Sequence, residues 1–350
     1  QNTGEKKAIS KEIYSYIANL SQNKSYLRLL DAGTGDGTIN SNIIKSFHRY
    51  HPYTSLLMTG KEISYEDLKN TLEKMPDRFV EHPNLLITMT NVKFSELGLI
   101  ESAKKIKNKK ICEFNLILKS DNSFDFNQQI SGNRISNFIK KNWGIEIDSK
   151  GRTSYSNPCI IRIYREDNQR QLKQFLRNDY ENNNYDLIIA SQAYRAASSV
   201  KLKVSNVIGP LMRLLNKSGK LLVTHSLGGE NVQKILKVGF KDIEAFPNEA
   251  KDIIEFLKNN PFGENNIYTF SKPKNYNFQF KKAPDQTVTE LFGHNTDAKW
   301  ANILYVGQIP EKDIQKLEKN TKLYNKVKRM INKTNVIKFK NEIFAITKVR

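Results

Sequence analysis

The stretch LRLLDAGTGDGTINSNII, residues 27–44, constrains this chain more than any other. An apolar run ends on Asp31, glycines follow at positions 33, 35 and 37, and an amphipathic pattern starts at once. Alternate glycines allow the left-handed backbone of a tight turn and leave no Cβ between the chain and whatever lies against it. A strand that passes through such a turn into a helix opens a sheet with helices on its faces.

The remaining pattern agrees. Residues 5–20 place Ile9, Ile13, Ile17 and Leu20 at helical spacing, so a helix precedes strand one, YLRLLDA. A helix over about 38–50, strand two in YTSLLMTGKEIS, a helix in SYEDLKNTLEKM capped by Ser64, and strand three in NLLITMTNV complete the first half. From about 100 to 180 the pattern turns charged and mixed, with strand-like CEFNLILK and CIIRIYR and helical RISNFIKKNW and DNQRQLKQFLRNDY. Buried-strand patterning resumes at YDLIIAS. It passes through SNVIGPLMRLLNK, where Pro210 marks a kink or a helix start, and reaches GKLLVTHS. Shorter elements follow: NIYTFSK, YNFQFKK, ANILYVGQI and NEIFAITKV.

The expected fold is α/β: a doubly wound, mostly parallel seven-stranded sheet with an insertion between strands 3 and 4 and a C-terminal α+β extension. Residues 1–100 and 181–245 form the expected core. Residues 101–180 are the insertion, expected to serve as a lid or substrate subdomain, and 246–350 complete the sheet and the pocket.

Composition narrows the function classes. Two cysteines, Cys112 and Cys159, are too few for a disulfide framework and lack metal-ligand spacing, so no metal is expected. No apolar run approaches the ~20 residues that span a bilayer, and the expected location is cytoplasmic. The 56 Lys and Arg against 36 Asp and Glu leave a net charge of +20, which invites a polyanion. Yet the lysines are scattered among asparagines and isoleucines, as compositional bias would leave them, and no RNP1 sequence or zinc finger appears. Nucleic acid is therefore a possible partner but not the favoured one, no membrane partner is expected, and the oligomeric state is open.

The third glycine is Gly37, so a G-x-G-x-x-G dinucleotide fingerprint fails by one residue, and no P-loop is present. The run Asp31-Ala32-Gly33-Thr34-Gly35-Asp36-Gly37 instead resembles the D/E-x-G-x-G-x-G signature of class I S-adenosylmethionine-dependent methyltransferases. By that resemblance Asp31 sits near the methionine amino group, and Gly33, Thr34, Gly35 and Gly37 line the ligand's path. The plain alternative is a turn that holds nothing. TGKEISYEDL is similar to the family's G-x-D-x-S stretch, which places Glu62 on the ribose hydroxyls with Ile63 beside it; a helix-capping glutamate is the other reading. TMTNVKFSEL puts Asn91 where the family has aspartate, with its carbonyl facing the adenine amine and the Val92 amide a ring nitrogen. LMRLLNKSGKLLVTHS resembles the family's helix, turn and fifth strand. The resemblance covers roughly residues 10–100 and 180–240 and implies S-adenosylmethionine as cofactor.

Methyl transfer from a sulfonium is an in-line displacement with an activated leaving group, so alignment matters more than a strong catalytic constellation. The acceptor is expected beyond the carboxyl ends of the strands. ASQAYRAAS places Ser191, Gln192 and Tyr194 there. Its Ser-x-x-Tyr spacing is similar to the [DNS]-P-P-[YFW] motif of amino-methyltransferases without the prolines; alternatively Ser191 and Gln192 satisfy backbone groups. Arg195 is a candidate for pairing with a substrate anion, and His225 is either a base or a hydrogen-bonded structural histidine, with Glu230 a weaker companion. Histidines 48, 51, 82 and 294 carry no readable role. Cys159 in NPCII is tested as a Pro-Cys nucleophile against an ordinary buried cysteine. The expected catalytic set is thus Gln192, Tyr194 and His225. The expected activity is methyl transfer to a small-molecule N, O or S nucleophile. An RNA or protein methyltransferase and a non-catalytic cofactor-binding protein are the alternatives.

Overall fold

The computed structural model describes residues 4–147, 153–178, 184–260, 267–279, 295–334 and 336–349. Three strand–helix units open the chain. Helix α1 (Glu5–Ala18) precedes β1 (Tyr26–Asp31), α2 (Thr38–Tyr50) leads to β2 (Ser55–Lys61), and α3 (Tyr65–Glu73) to β3 (Leu85–Thr90). The Ser64 hydroxyl accepts from the Asp67 amide and caps α3, as Ser-x-x-Asp spacing predicts. The insertion supplies β4 (Cys112–Leu118) and β5 (Cys159–Arg165), and the core resumes with β6 (Tyr185–Ser191). A helical stretch then runs from α4 (Val200–Lys203) through a π turn (Val204–Ile208) into α5 (Gly209–Arg213). The π turn directly precedes Pro210, whose ring and missing N–H disrupt an ordinary helical ladder. Strand β7 (Leu215–Gly228), helices α6 (Glu230–Gly239) and α7 (Ala250–Asn259), strands β8 (Tyr268–Phe270) and β9 (Lys274–Gln279), helix α8 (Asn295–Gly307) and strand β10 (Lys338–Lys348) complete the frame.

Among the described residues the sheet has ten strands in the order β8-β10-β7-β6-β1-β2-β3-β5-β4, with β9 also on β10. The central β7-β6-β1-β2-β3 block is parallel, and β10 runs antiparallel to β7. This is the mixed α/β, mostly parallel sheet expected, but seven strands was too few. The insertion adds β5 antiparallel to β3 and β4 beside it, and both β8 and β9 pair with β10. A second correction concerns ANILYVGQI, which reads as a short strand but lies mostly in α8. Trp300, Ile303 and Val306 recur at helical spacing and bury against Leu236 and Val327, so the 3.6-residue period overrides the β-prone composition. Asn266, His294 and residues 179–180 and 280–282 lie outside the described residues.

Successive strand residues face opposite layers, as strand geometry requires. Leu29, Met58, Ile87 and Leu187 pack under Ile9, Ile13, Ile17, Ile43 and Phe47 of α1 and α2. Leu30, Ile188, Val223 and Phe344 pack against Val204, Val207 and Leu211 on one side and Ile253 and Leu257 of α7 on the other. The two layers leave the carboxyl ends of β1, β2, β6 and β7 side by side, which is where an open α/β sheet binds ligands.

Gly37 belongs to this frame. Its φ is +75°, and a Cβ there meets Thr71 Cα at 2.7 Å, so α3 packs directly on the turn. Gly37→Ala should therefore cost about 3 kcal/mol from left-handed strain and overpacking together. Urea denaturation checks it; an unchanged midpoint contradicts the close packing.

Candidate functional site

The glycine turn spans three strand ends. The Ala32 amide donates to Ile189 O at 2.8 Å and the Thr34 amide to Lys61 O at 3.1 Å, so the chain leaving β1 is stitched to β6 and then to β2. Gly60 in β2 makes room, since a Cβ there meets Thr34 Oγ1 at 2.8 Å. Gly33 has only ordinary contacts, to Ser191 O and Ala193. Gly35 differs from Gly37: its φ is +53°, and a Cβ on it meets no atom within 4 Å. The turn thus faces open space at Gly35 and packed backbone at Gly37.

Asp31 ends β1 with no exposed surface, and neither carboxylate oxygen makes a hydrogen bond of good geometry among the described residues. Burial raises its pKa to about 7, with the neighbouring Glu62 charge adding to the rise and the Gly33 amide only partly offsetting it. Glu62 is placed differently. Its Oε2 accepts from the Gly35 amide at 2.8 Å, while Oε1 accepts from Ile63 and Ser64 amides at 2.7 and 2.8 Å. That carboxylate holds the turn against the start of α3, and one lone pair on Oε2 is left for a ligand.

Asn91 faces the insertion instead of the turn. Its amide donates to Asn157 O at 2.9 Å and accepts from the Cys159 amide at 2.8 Å, tying the end of β3 to β5. Both ends of the side chain are engaged and it is 1% exposed, so it is not free for the adenine contact expected of it. The Val92 amide makes only a long 3.4 Å contact to Thr90 Oγ1. Cys159 is buried, its thiol pushed up to about 12 chiefly by burial, which leaves no thiolate for nucleophilic attack. The ordinary-cysteine reading stands.

At the end of β6, Ser191 lies opposite Thr224 of β7, and Gln192 takes a left-handed φ of +52°. Gln192 Nε2 donates to Glu5 Oε1, which also accepts from Asn341 Nδ2 at 2.6 Å. Glu5 is 5% exposed, and burial raises its pKa. One residue on, Lys6 pairs with Asp36 of the glycine turn at 2.7 Å. The first turn of α1 therefore lies across the strand ends, bonded to both the turn and β10.

Tyr194 and His225 come together in the layer beneath. Their ring centroids are 5.8 Å apart, and His225 Nε2 lies 2.8 Å from Asn248 O. Lys203 Nζ sits 5.5 Å from the Tyr194 ring centroid and donates to Asn248 Oδ1 at 2.9 Å. Arg195 reaches Gln308 O at 3.2 Å, and Glu230 pairs with Lys234 on the surface. The structure thus brings Asp31, Gly33, Thr34, Gly35, Glu62, Ile63, Ser191 and Gln192 to one edge and sets Tyr194 with His225 on its other face. Beyond the end of β7 lies a cavity of about 850 Å³, lined by Gly229–Asn231, Asn277–Gln279, Val336 and Lys338–Lys340. It draws on the C-terminal third, and Gln192, Tyr194 and His225 do not line it.

Among the described residues no His, Cys, Asp and Glu cluster is arranged for a metal ion, and no helix is long and apolar enough to cross a membrane. No family model matches the sequence, and no curated protein is detectably similar to it. Among solved structures, the chain is similar to the [4+2]-cyclase SpnF at 11% identity and a TM-score of 0.40, covering 97% of this chain and 82% of that one. The MccD protein gives 9% and 0.36 over 93% and 91%, and the cyclopropane synthase MmaA2 from Mycobacterium tuberculosis 12% and 0.31 over 97% and 83%.

Sequence reasoning missed Glu5, Gly60, Lys203, Asn248 and Asn341. Lys203 alone left a trace: it stands four residues before Val207 and eight before Leu211, on the buried stripe of its helix. The Asp31 geometry makes a prediction. Its folded pKa lies above its ordinary 3.8, so the carboxyl favours the fold below pH 4 and that contribution is lost as pH rises through 7. Ligand-free Asp31→Asn should match the parent near pH 4 and exceed it by a few kcal/mol at pH 8. Urea titrations at both pH values measure this; an equal difference at both would contradict it.

Proposed function

We propose that this protein binds S-adenosylmethionine across the glycine turn and transfers its methyl group to a small-molecule acceptor. One observation carries the cofactor reading: Asp31, a fully buried carboxylate with no partner of good geometry among the described residues, stands beside a turn that is open at Gly35. A carboxyl so placed costs stability unless a cation meets it, and an amino-acid ammonium is such a cation. Gly33, Thr34 and Gly35 line the path from it, and the free lone pair of Glu62 Oε2 suits a ribose hydroxyl. The Val92 amide is available to an adenine ring nitrogen, with Ile63 flanking it on the β2 side. When bound, the cofactor supplies a methyl carbon on a positively charged sulfur, which leaves as a neutral thioether when an acceptor's electron pair attacks that carbon.

The chain's part is to hold and exclude. The first turn of α1 covers the strand ends through Glu5 and Lys6, and Ser191 and Gln192 form the floor at β6. The small acceptor is favoured by the placement of the chain's +20 charge, whose lysines are spread through the sequence and do not form one basic stripe. The insertion braces the β3 edge through Asn91. Gln192 is held by Glu5, so its role is to position that floor.

Binding calorimetry with S-adenosylhomocysteine tests the reading. The parent should bind with a Kd on the order of micromolar, Gly35→Val should not bind detectably, and Asp31→Asn should bind at least about tenfold more weakly. Unchanged affinity in both variants would overturn the proposal.

A further inference from the structure

Cys112 opens β4, Cys159 opens β5, and the parallel pairing of these strands sets the two cysteines opposite each other in register. Both are free thiols. Phe114, Leu116 and Leu118 of β4 and Ile161 and Ile163 of β5 follow them at every second position, and all face the layer that holds Phe126, Ile135 and Ile139. The two cysteine side chains therefore leave neighbouring strands on the same side. Adjacent strands stand about 4.8 Å apart, inside the ~4.4–6.8 Å between Cα atoms that a disulfide bridges. A backbone bond fixes that approach, since the Cys112 amide donates to Pro158 O at 2.8 Å.

The surroundings of the two thiols differ. Cys112 is half-buried and open to a small reagent, whereas Cys159 is buried. The Cys159 thiol donates to Asn142 O at 3.2 Å, with Asn157 O at 3.5 Å, and its pKa is pushed up first by burial and then by the adjacent Cys112 thiol. A thiol this hard to ionise attacks slowly, and only what is held against it. The sulfur of Cys112 is so held. Loss of the Cys159 proton orphans neither carbonyl, because Asn142 O also accepts from the Gly144 amide at 3.1 Å and Asn157 O from the Asn91 side chain at 2.9 Å.

We propose that Cys112 and Cys159 form an oxidation site, at which a low-molecular-weight disulfide converts the two thiols into an intrachain disulfide that staples β4 to β5. Cys112 Sγ, as its thiolate, attacks one sulfur of the reagent. A bond forms between them, the reagent's S–S bond breaks, and the departing thiolate takes up the proton that Cys112 has lost. Cys159 Sγ then attacks Cys112 Sγ, and the second small thiol leaves with the Cys159 proton. The protein gives up two electrons and two protons, and the reagent becomes two thiols. The new bond closes the stretch that carries helices Ser123–Ile130 and Asn133–Asn142 and the hairpin of Ile145–Ile147 with Thr153–Tyr155. The Cys159 amide also donates to Asn91 at the end of β3, so the staple secures the insertion where it meets the parallel block. This site is independent of the cofactor reading.

Incubating the full reduced chain with glutathione disulfide at mildly alkaline pH, followed by mass spectrometry, tests this. The mass should first rise by one glutathione and then fall to that of the parent less two hydrogens. Digestion without reductant should yield the Cys112 and Cys159 peptides joined, and dithiothreitol should part them. Cys159→Ser should stop at the glutathione adduct on Cys112, and Cys112→Ser should stay unmodified because its one thiol is buried. The oxidised parent should unfold on the order of 5 °C above the reduced one, since the bond restricts the unfolded chain. Should either variant not fold, the peptide map of the parent decides. A parent that stops at the adduct, joins two chains through Cys112 or does not react would overturn the assignment, as would a Cys112→Ser protein modified at Cys159.

Discussion

A buried carboxylate that only the Gly33 amide approaches among the described residues sits at the centre of this sheet. Asp31 ends the middle strand of the parallel block, is wholly buried, and makes no hydrogen bond of good geometry among the described residues. Burying a charged oxygen pair is among the most expensive things a fold can do, and the response here is a pKa near 7 instead of a compensating residue. The surroundings maintain that state. Hydrogen bonds donated by the Ala32 and Thr34 amides lock the turn to β6 and β2, Glu62 accepts from the Gly35 amide, and Gly37 lets α3 close beneath. On the proposed reading, the partner this carboxyl lacks is the ammonium of the bound cofactor.

The sheet divides labour between its faces. On the α1 side, Glu5 gathers Gln192 and Asn341 and Lys6 reaches Asp36, so the helix that buries Ile9, Ile13 and Ile17 also lies over the strand ends. On the other side, Asn248 binds His225 with its backbone and Lys203 with its side chain, fixing a tautomer and a charge with one residue. The strand alternation that separates Leu29 from Leu30 places these two polar groups on opposite layers of a common edge.

Much of this was legible in the sequence because it depends on local pattern. The first three strand–helix units, the Ser64 cap and the strands CEFNLILK, CIIRIYR and YDLIIAS follow from periodicity and punctuation and lie where those place them. The glycine turn was legible for the same reason, although only geometry separates Gly35, which faces space, from Gly37, which faces Thr71. What was not legible depends on partners distant in sequence. The insertion's strands extend the sheet because β5 pairs with β3, and Asn91 turns away because Cys159 and Asn157 meet it across more than sixty residues. Glu5 gives no local sign that it will bond Asn341 at the far end of the chain. ANILYVGQI misleads because its β-prone residues also satisfy a helical stripe, and only the packing against α6 decides between them.

Proton counting probes the Asp31 carboxyl most directly. With a pKa near 7 it is largely protonated at pH 6, and an arriving ammonium must drive that proton off. Calorimetry of S-adenosylhomocysteine binding at pH 6, repeated in two buffers of different ionisation enthalpy, reads the number released. Close to one proton should leave per molecule bound by the parent, and close to none in Asp31→Asn. Binding by the parent with no proton release at that pH would contradict the assignment of Asp31 as the cation's partner.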